Sequence, residues 1–228
     1  MSEATTDKTI YPLGFPLDPI TSKIIGDKIS KVFLDTMWNG FFYYLGFFEP
    51  SVWYDQVTGS GTVTHRTGID LNTGVTNPST AKVITEFPGF PDFVLNTVNT
   101  HQRFRSVFAI SATMTNLVAY IVRGNISDWE IYYGFKVINS TLMGVSQDDT
   151  GSEATVNLMT IQGDTNYDIE ARFYPKEKIV FYVNGDIVGT LATKIPTSII
   201  GLGEVRISTS TTADKEMTVP FFEYIQEK

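Results

Sequence analysis

Two acidic residues on one extended segment are the first candidates for chemistry. Asp168 and Glu170 alternate with Ile169 and Ala171, so both carboxylates would point to the same side of a strand. A glycoside hydrolase could use such a pair as nucleophile and general acid. Arg172 follows on the same side, however, and a solvated charged face explains this alternation more simply. The pattern therefore favours a protein that is not an enzyme, and a glucan hydrolase with an atypical site is kept as an alternative.

A second acidic segment could bind a metal ion. Asp148, Asp149 and Glu153 surround Gly151, and calcium prefers the carboxylate and carbonyl oxygens of such loops. The regular ligand spacing of an EF-hand is missing, so a solvated turn is the simpler interpretation. These three residues are the calcium candidates, and no other cofactor is predicted.

Histidine and cysteine offer little further chemistry. Neither His65 nor His101 has the close second histidine that is usual in a zinc site. Cysteine is absent, which excludes disulfides, zinc-thiolate sites and cysteine nucleophiles. Asp70 with Asn72 is an alternative calcium pair.

Aromatic residues could bind a sugar by stacking a ring against it. Trp53 and Tyr54, between Pro50 and Asp55, could line a rim or a subunit contact, and Trp38 is a further candidate. A place in the hydrophobic core is the alternative, because aromatic rings dominate the interiors of sandwiches.

The segments that position these residues show a hydrophobic pattern with a period of two residues. Apolar and polar side chains alternate within residues 104–110, 129–137 and 167–174, which is typical of strands with one buried face. On the second of these, the face that carries Tyr132 and Lys136 is expected to stay at least partly wet. About a dozen short strands separated by turn residues, without a convincing internal helix, indicate an antiparallel sandwich or barrel.

The sequence also predicts a tight hairpin. Asn184-Gly185 separates the apolar segment 179–183 from 186–191, and both turn residues are expected at positive φ.

Four motifs in chain order resemble the concanavalin A-like (laminin-G-like) jelly-roll superfamily. They are Gly59-Ser60-Gly61-Thr62-Val63, residues 68–74, Tyr132-Tyr133-Gly134-Phe135, and residues 179–185 followed by Ile195-Pro196. The resemblance covers residues 33–226 and implies an all-β antiparallel β-sandwich. The Glu-x-Asp-x-Glu type pattern of the superfamily's glucanases is missing. The Thr/Ser-rich loops at 73–80 and 208–212 are similar to those of viral structural proteins and bacterial surface proteins.

The first residues differ from the rest. Residues 1–31 contain Pro12, Pro16 and Pro19 and one possible helical stretch, which predicts an N-terminal arm, extended or with a short helix. The arm would lie against its own domain or a neighbouring subunit, or be partly disordered. Residues 32–228 would form the sandwich domain.

Composition and charge argue against several classes of function. The net charge is −8 and the 17 basic residues are scattered, which argues against a nucleic-acid partner. No apolar run is long enough for a membrane span, and residues 1–9 lack the features of a signal peptide.

The favoured interpretation is a non-enzymatic structural or adhesive module. We expect a virion surface, decoration or fibre-associated protein that works as a homo-oligomer or with other virion proteins, on a virion or an extracellular surface. A glycan-binding module of a cell-surface protein is the alternative.

Overall fold

A computed structural model describes residues 40–45, 53–65, 68–85, 101–125, 131–197 and 202–227. The chain in these ranges forms strands β1 (Gly40–Leu45), β2 (Trp53–Thr58), β3 (Thr62–His65), β4 (Ile69–Asn72), β5 (Ser79–Thr85), β6 (Gln102–Ile110), β7 (Leu117–Asn125), β8 (Ile131–Ile138), β9 (Thr141–Gln147), β10 (Glu153–Thr160), β11 (Tyr167–Tyr174), β12 (Lys178–Val183), β13 (Asp186–Leu191), β14 (Leu202–Thr209) and β15 (Glu216–Glu227). The arm predicted for residues 1–31 lies outside the described residues. Over the described ranges, no helix has the length and hydropathy needed to cross a membrane.

The strands form two antiparallel sheets. Sheet A has the order β13-β12-β11-β6-β15-β4-β3, with β1 also paired to β15, and sheet B has the order β10-β9-β8-β7-β14-β5-β2. The predicted all-β antiparallel sandwich is confirmed.

The apolar core lies between the sheets because their inner faces carry the apolar half of each alternation. In β6, Phe104 and Phe108 are buried, whereas Arg103 and Arg105 are partly exposed. Strand β11 alternates in the same way. A small interior gap between Phe108 and its neighbours has no room for a water molecule. Close packing of large side chains therefore accounts for the cohesion of the two sheets.

The outer face of sheet B departs from the prediction. Tyr132 points away from the interior, yet it is only 5% exposed. It packs with Val122 and Val145 in a second apolar cluster, separate from the core. The face is partly exposed at Lys136, as predicted, but not at Tyr132, because alternation indicates the side to which a residue points and not whether that side is covered.

The hairpin between β12 and β13 has the predicted turn. Asn184 and Gly185 have φ angles of 52° and 89°. The backbone N–H of Asn184 donates to the carbonyl oxygen of Asp168 at 2.7 Å, and the backbone N–H of Asp168 donates to Oδ1 of Asn184 at 3.0 Å. The turn thus fixes β12 and β13 next to the end of β11.

Candidate functional site

Three neighbouring strands of sheet A bring polar and aromatic side chains to one outer surface. Strand β11 lies between β6 and β12. Glu170 is opposite Arg105 on one side and Tyr182 on the other, and Arg172 is opposite Arg103. We call this surface the charged ladder, and its members are Arg103, Arg105, Asp168, Glu170, Arg172 and Tyr182.

The first ion pair of the charged ladder joins Arg105 to Asp168. Nε of Arg105 donates to Oδ1 of Asp168 at 2.8 Å, and Nη2 donates to Oδ2. Such a two-point contact between a guanidinium and a carboxylate fixes both orientation and distance. The pair remains accessible, because about a third or more of each side chain is exposed.

Glu170 is shared by two arginines. Nε of Arg172 donates to its Oε1, and Nε of Arg103 lies 4.0 Å from its Oε2. Although burial opposes the charge on Arg172, the hydrogen bond to Glu170 raises the pKa of the guanidinium. The Glu170 side chain is only 14% exposed, so the two arginines compensate a carboxylate that water reaches poorly.

An aromatic and aliphatic patch borders the charged ladder. Cζ of Arg172 lies 4.4 Å from the ring centroid of Tyr182, a cation–π contact that restrains both side chains. Ile187 is opposite Tyr182 in the register of β12 and β13 and is 66% exposed. The surface therefore offers an apolar area beside fixed hydrogen-bonding groups.

A second aromatic contact lies at the other end of β11. Nζ of Lys178 is 5.3 Å from the ring centroid of Tyr174, and the ring of His101 is 5.1 Å from that of Tyr174. His101 thus contacts an aromatic ring on the same strand trio.

The carboxylates of the charged ladder are paired with arginines. Both acidic residues considered for hydrolysis, Asp168 and Glu170, accept hydrogen bonds from arginines. These contacts occupy oxygens that a nucleophile or a general acid would have to offer to a substrate. The charged residues lie on the side opposite the buried Ile169 and Ala171, as the alternation predicts, but the side chain of Glu170 is less solvated than predicted.

Glu153, one of the calcium candidates, takes part in a different contact. Its Oε1 accepts a hydrogen bond from Nζ of Lys136 at 2.8 Å, and its Oε2 accepts one from Oη of Tyr132 at 2.5 Å. Burial and the contact with Glu153 both raise the pKa of Tyr132. Glu153 therefore anchors the polar edge of the outer cluster on sheet B.

The other two calcium candidates lie in the loop between β9 and β10. Oδ1 of Asp148 accepts a hydrogen bond from Oγ1 of Thr150 at 2.6 Å, which lowers the pKa of Asp148. Nζ of Lys194 lies 3.5 Å from Oδ2 of Asp148, and Asp149 is exposed. In the part of the chain that the structure describes, no three histidine or acidic side chains are grouped as metal ligands. The calcium site stays a prediction.

The alternative pair, Asp70 with Asn72, lies on β4. Oδ1 of Asp70 accepts a hydrogen bond from Oγ1 of Thr218 at 2.8 Å. The amide Nδ2 of Asn72 donates to Asp214 at 3.1 Å and to Glu216 at 3.0 Å. The side chain of Asn72 thus links β4 to the start of β15.

Two of the three aromatic candidates lie on sheet B, whereas the charged ladder lies on sheet A. Trp53 and Tyr54 belong to β2, an edge strand of sheet B, and their side chains, like Trp38, lie outside the described residues. Their predicted roles stay predictions. Near them, Nε2 of His65 contacts Oδ1 of Asp55 at 2.9 Å, which joins the edge strand β3 of sheet A to β2.

Sequence reasoning missed Arg103, Arg105 and Tyr182 as members of a site. The sequence indicates only that each of them occupies an outward-facing position of a strand. Their proximity depends on β6 and β12 lying on either side of β11, and local sequence patterns do not predict strand order.

Comparisons with known proteins support the fold. No protein-family model and no curated protein sequence matches the chain. A protein of unknown function, SO2946 from Shewanella oneidensis MR-1, is similar in structure with a TM-score of 0.60 and 10% identity, over 93% of this chain and 95% of that one. The similarity supports the antiparallel β-sandwich fold that the resemblance to the concanavalin A-like superfamily implies.

Two further similar structures are parts of larger proteins. A sialidase has a TM-score of 0.56 and 12% identity, over 77% of this chain and 17% of that one. The binding domain of botulinum neurotoxin DC, in complex with SialylT, has a TM-score of 0.51 and 13% identity, over 75% of this chain and 42% of that one. The chain thus spans less than half of either protein.

Proposed function

We propose that the protein is a non-enzymatic adhesive module that binds a glycan on the charged ladder. The observation that carries the proposal is the row of guanidinium, carboxylate and phenol groups on β6, β11 and β12, which ion pairs and a cation–π contact hold in place and in which Arg105 and Asp168 are accessible. Recognition of a sugar needs hydrogen-bonding groups fixed in place beside an apolar surface. Tyr182 and the exposed Ile187 provide that surface.

The open position of the charged ladder supports binding in place of catalysis. The interior gap beside Phe108 cannot hold even a water molecule, so a ligand would lie on the outer surface. Catalysis of glycoside hydrolysis benefits from a site that excludes water and leaves carboxyl groups free to react. The charged ladder is open and its two acidic residues are paired.

The similar structures are in accord with an adhesive role for such a fold. One is a botulinum neurotoxin binding domain in complex with SialylT, and another concerns botulinum neurotoxin type C, whose cell entry depends on interaction with two ganglioside molecules. The likeness covers 42% of each toxin chain, so it supports the use of the fold in binding proteins and leaves the ligand of this chain to experiment.

Loss of the Arg172 side chain is expected to weaken glycan binding. Arg172 contacts both Glu170 and Tyr182, so Arg172→Ala should release two ligand-contacting groups and reduce affinity by about tenfold. Binding is first surveyed on a printed oligosaccharide array and then titrated with the best ligand. Thr155→Ala, at an exposed position on β10 of sheet B, is the matched control.

Two outcomes contradict the proposal. If the unmodified protein binds no oligosaccharide on the array, glycan binding is wrong. If Arg172→Ala and Thr155→Ala both bind like the unmodified protein, the site lies elsewhere. Circular dichroism and thermal unfolding of both variants verify that the fold is retained.

We further propose that the protein acts as a homo-oligomer on a virion or an extracellular surface. A shallow surface site gains strength when several copies bind together, because each later contact is intramolecular. Sedimentation of the full chain is expected to give a mass at least twice the single-chain value of 25.4 kDa. A single-chain mass at micromolar concentration would overturn the oligomer and leave the glycan site untouched.

A further inference from the structure

Two tyrosines lie on the same outer surface of sheet A. Tyr182 is opposite Glu170 in the register of β11 and β12, and Tyr174 has the same outward-facing, half-buried kind of position on β11 as Glu170. Positions 170 and 174 are four residues apart along β11, which is about 13 Å in an extended strand. The surface of the charged ladder therefore continues along β11 to a second aromatic ring.

Arg172 lies between the two rings. Its Cζ is 4.4 Å from the ring centroid of Tyr182, and 42% of its side chain is exposed. In the described part of the chain its hydrogen bond runs from Nε to Glu170. The two Nη groups can therefore donate to hydroxyls of a ligand that lies between Tyr182 and Tyr174.

Neighbours on both sides restrain the ring of Tyr174. Nζ of Lys178, on β12, lies 5.3 Å from the ring centroid. The ring of His101, just before β6, lies 5.1 Å away at an interplanar angle of 60°. The Tyr174 end of β11 thus offers an aromatic ring restrained by a cation, as the Tyr182 end does.

Both ends of this surface are open to solvent. Lys176, in the turn that follows Tyr174, is exposed, and so is Asn184, in the turn that follows β12 beyond Tyr182. A linear chain could therefore pass over the surface and leave it at either end, whereas a closed pocket would admit only a terminal sugar.

We infer that the binding site is an elongated strip from Tyr182 through Arg172 to Tyr174, and that it prefers an internal stretch of a linear oligosaccharide to a single terminal sugar. The inference rests on the proposed function and specifies its ligand class. A single sugar ring is much shorter than the separation of the two tyrosines, so contact with both needs several linked sugars. One sugar packs against Tyr182 and Ile187, a middle one accepts hydrogen bonds from Arg172, and a further one packs against Tyr174.

Linear gluco-, galacto-, manno- and xylo-oligosaccharides, each supplied as a series from mono- to hexasaccharide, test the inference. In a series that binds, the hexasaccharide is expected to bind at least about tenfold more tightly than the disaccharide, because only the longer chain reaches both rings. Isothermal titration calorimetry with the full chain measures the affinities. Equal affinities for the two lengths overturn the inference, as does an array on which only single-sugar or branched ligands bind.

Tyr174→Ala gives a second readout. The variant removes the distal ring, so the ratio of hexasaccharide to disaccharide affinity is expected to fall by about tenfold. Tyr174→Phe retains the ring and should retain the ratio, and Thr155→Ala is again the control. Circular dichroism and thermal unfolding verify that each variant is folded. A folded Tyr174→Ala variant with an unchanged ratio overturns the inference.

Failure of the strip can be distinguished from failure of the proposed function. If oligosaccharides of every length bind equally and Arg172→Ala weakens them all, the proposed function stands and only the elongated strip is wrong. If no oligosaccharide binds on the array or in any series, both are wrong.

Discussion

Replacing Phe104 by alanine is expected to destabilise the sandwich by about 3–5 kcal/mol. The ring is fully buried and stacks on Phe222 with centroids 5.4 Å apart. It also meets Phe135 edge-on at 5.7 Å and Tyr133 at 5.8 Å. These contacts join β6 and β15 of sheet A to β8 of sheet B, so truncation leaves a void between the sheets that neighbouring aromatic rings cannot fill.

Urea unfolding of the full chain measures this effect. The midpoint should fall for Phe104→Ala, with a smaller loss for Phe104→Leu, which retains part of the apolar volume. Val107→Ala on the outer face of β6 is the control, and it should cost less than about 1 kcal/mol because the residue is half-buried. Equal midpoints for Phe104→Ala and Val107→Ala would show that this ring does not hold the sheets together.

Local alternation was sufficient to predict most strands. In β11 the residues Tyr167, Ile169, Ala171 and Phe173 are all buried, as their spacing indicates. The Asn184-Gly185 turn was equally predictable, because few residues adopt positive φ without cost. Such features depend on neighbours along the chain, and the sequence states them directly.

Strand order depends on information that alternation does not contain. Strand β6 lies between β11 and β15, and β14 lies between β5 and β7, although these partners are distant in sequence. Any alternating strand can pair with any other while keeping its apolar side inward. The contacts of Arg105 with Asp168 and of Arg103 with Glu170 follow only from this order. The sequence therefore predicted the acidic face of β11 but not the arginines of β6 that pair with it.

Glu204 is a buried acidic residue on the outer side of sheet B. Its side chain is fully buried and is opposite Val122 in the register of β14 and β7. Nε of Arg206 lies 3.6 Å away and Nζ of Lys82 lies 3.7 Å away, and within the described ranges no donor forms a hydrogen bond with either carboxylate oxygen. Burial raises the pKa of Glu204 to about 7, although Arg206 and Lys82 oppose the rise.

Because the pKa of Glu204 is raised in the folded chain, the free energy of unfolding falls as the pH rises. Below the ordinary value of 4.5, Glu204 is protonated in both the folded and the unfolded chain, and the contribution to folding is fully present. As the pH rises from 4.5 to about 7, Glu204 ionises in the unfolded chain before it ionises in the folded chain. The folded chain therefore loses about 1.4 kcal/mol of stability for each pH unit in this interval, or about 3 kcal/mol in total.

Glu204→Gln is expected to remove this loss, because the amide resembles the protonated acid in size and charge. The variant should be about 3 kcal/mol more stable than the unmodified protein above pH 7, with a much smaller difference near pH 5. Urea unfolding at both pH values measures the two differences, and Glu177→Gln, in the exposed turn between β11 and β12, should show neither. If Glu204→Gln is less stable at high pH, the carboxylate is ionised and its attraction to Arg206 and Lys82 outweighs the cost of burial. The sign of one difference in unfolding free energy therefore decides whether the outer side of sheet B holds a neutral acid or an ion pair.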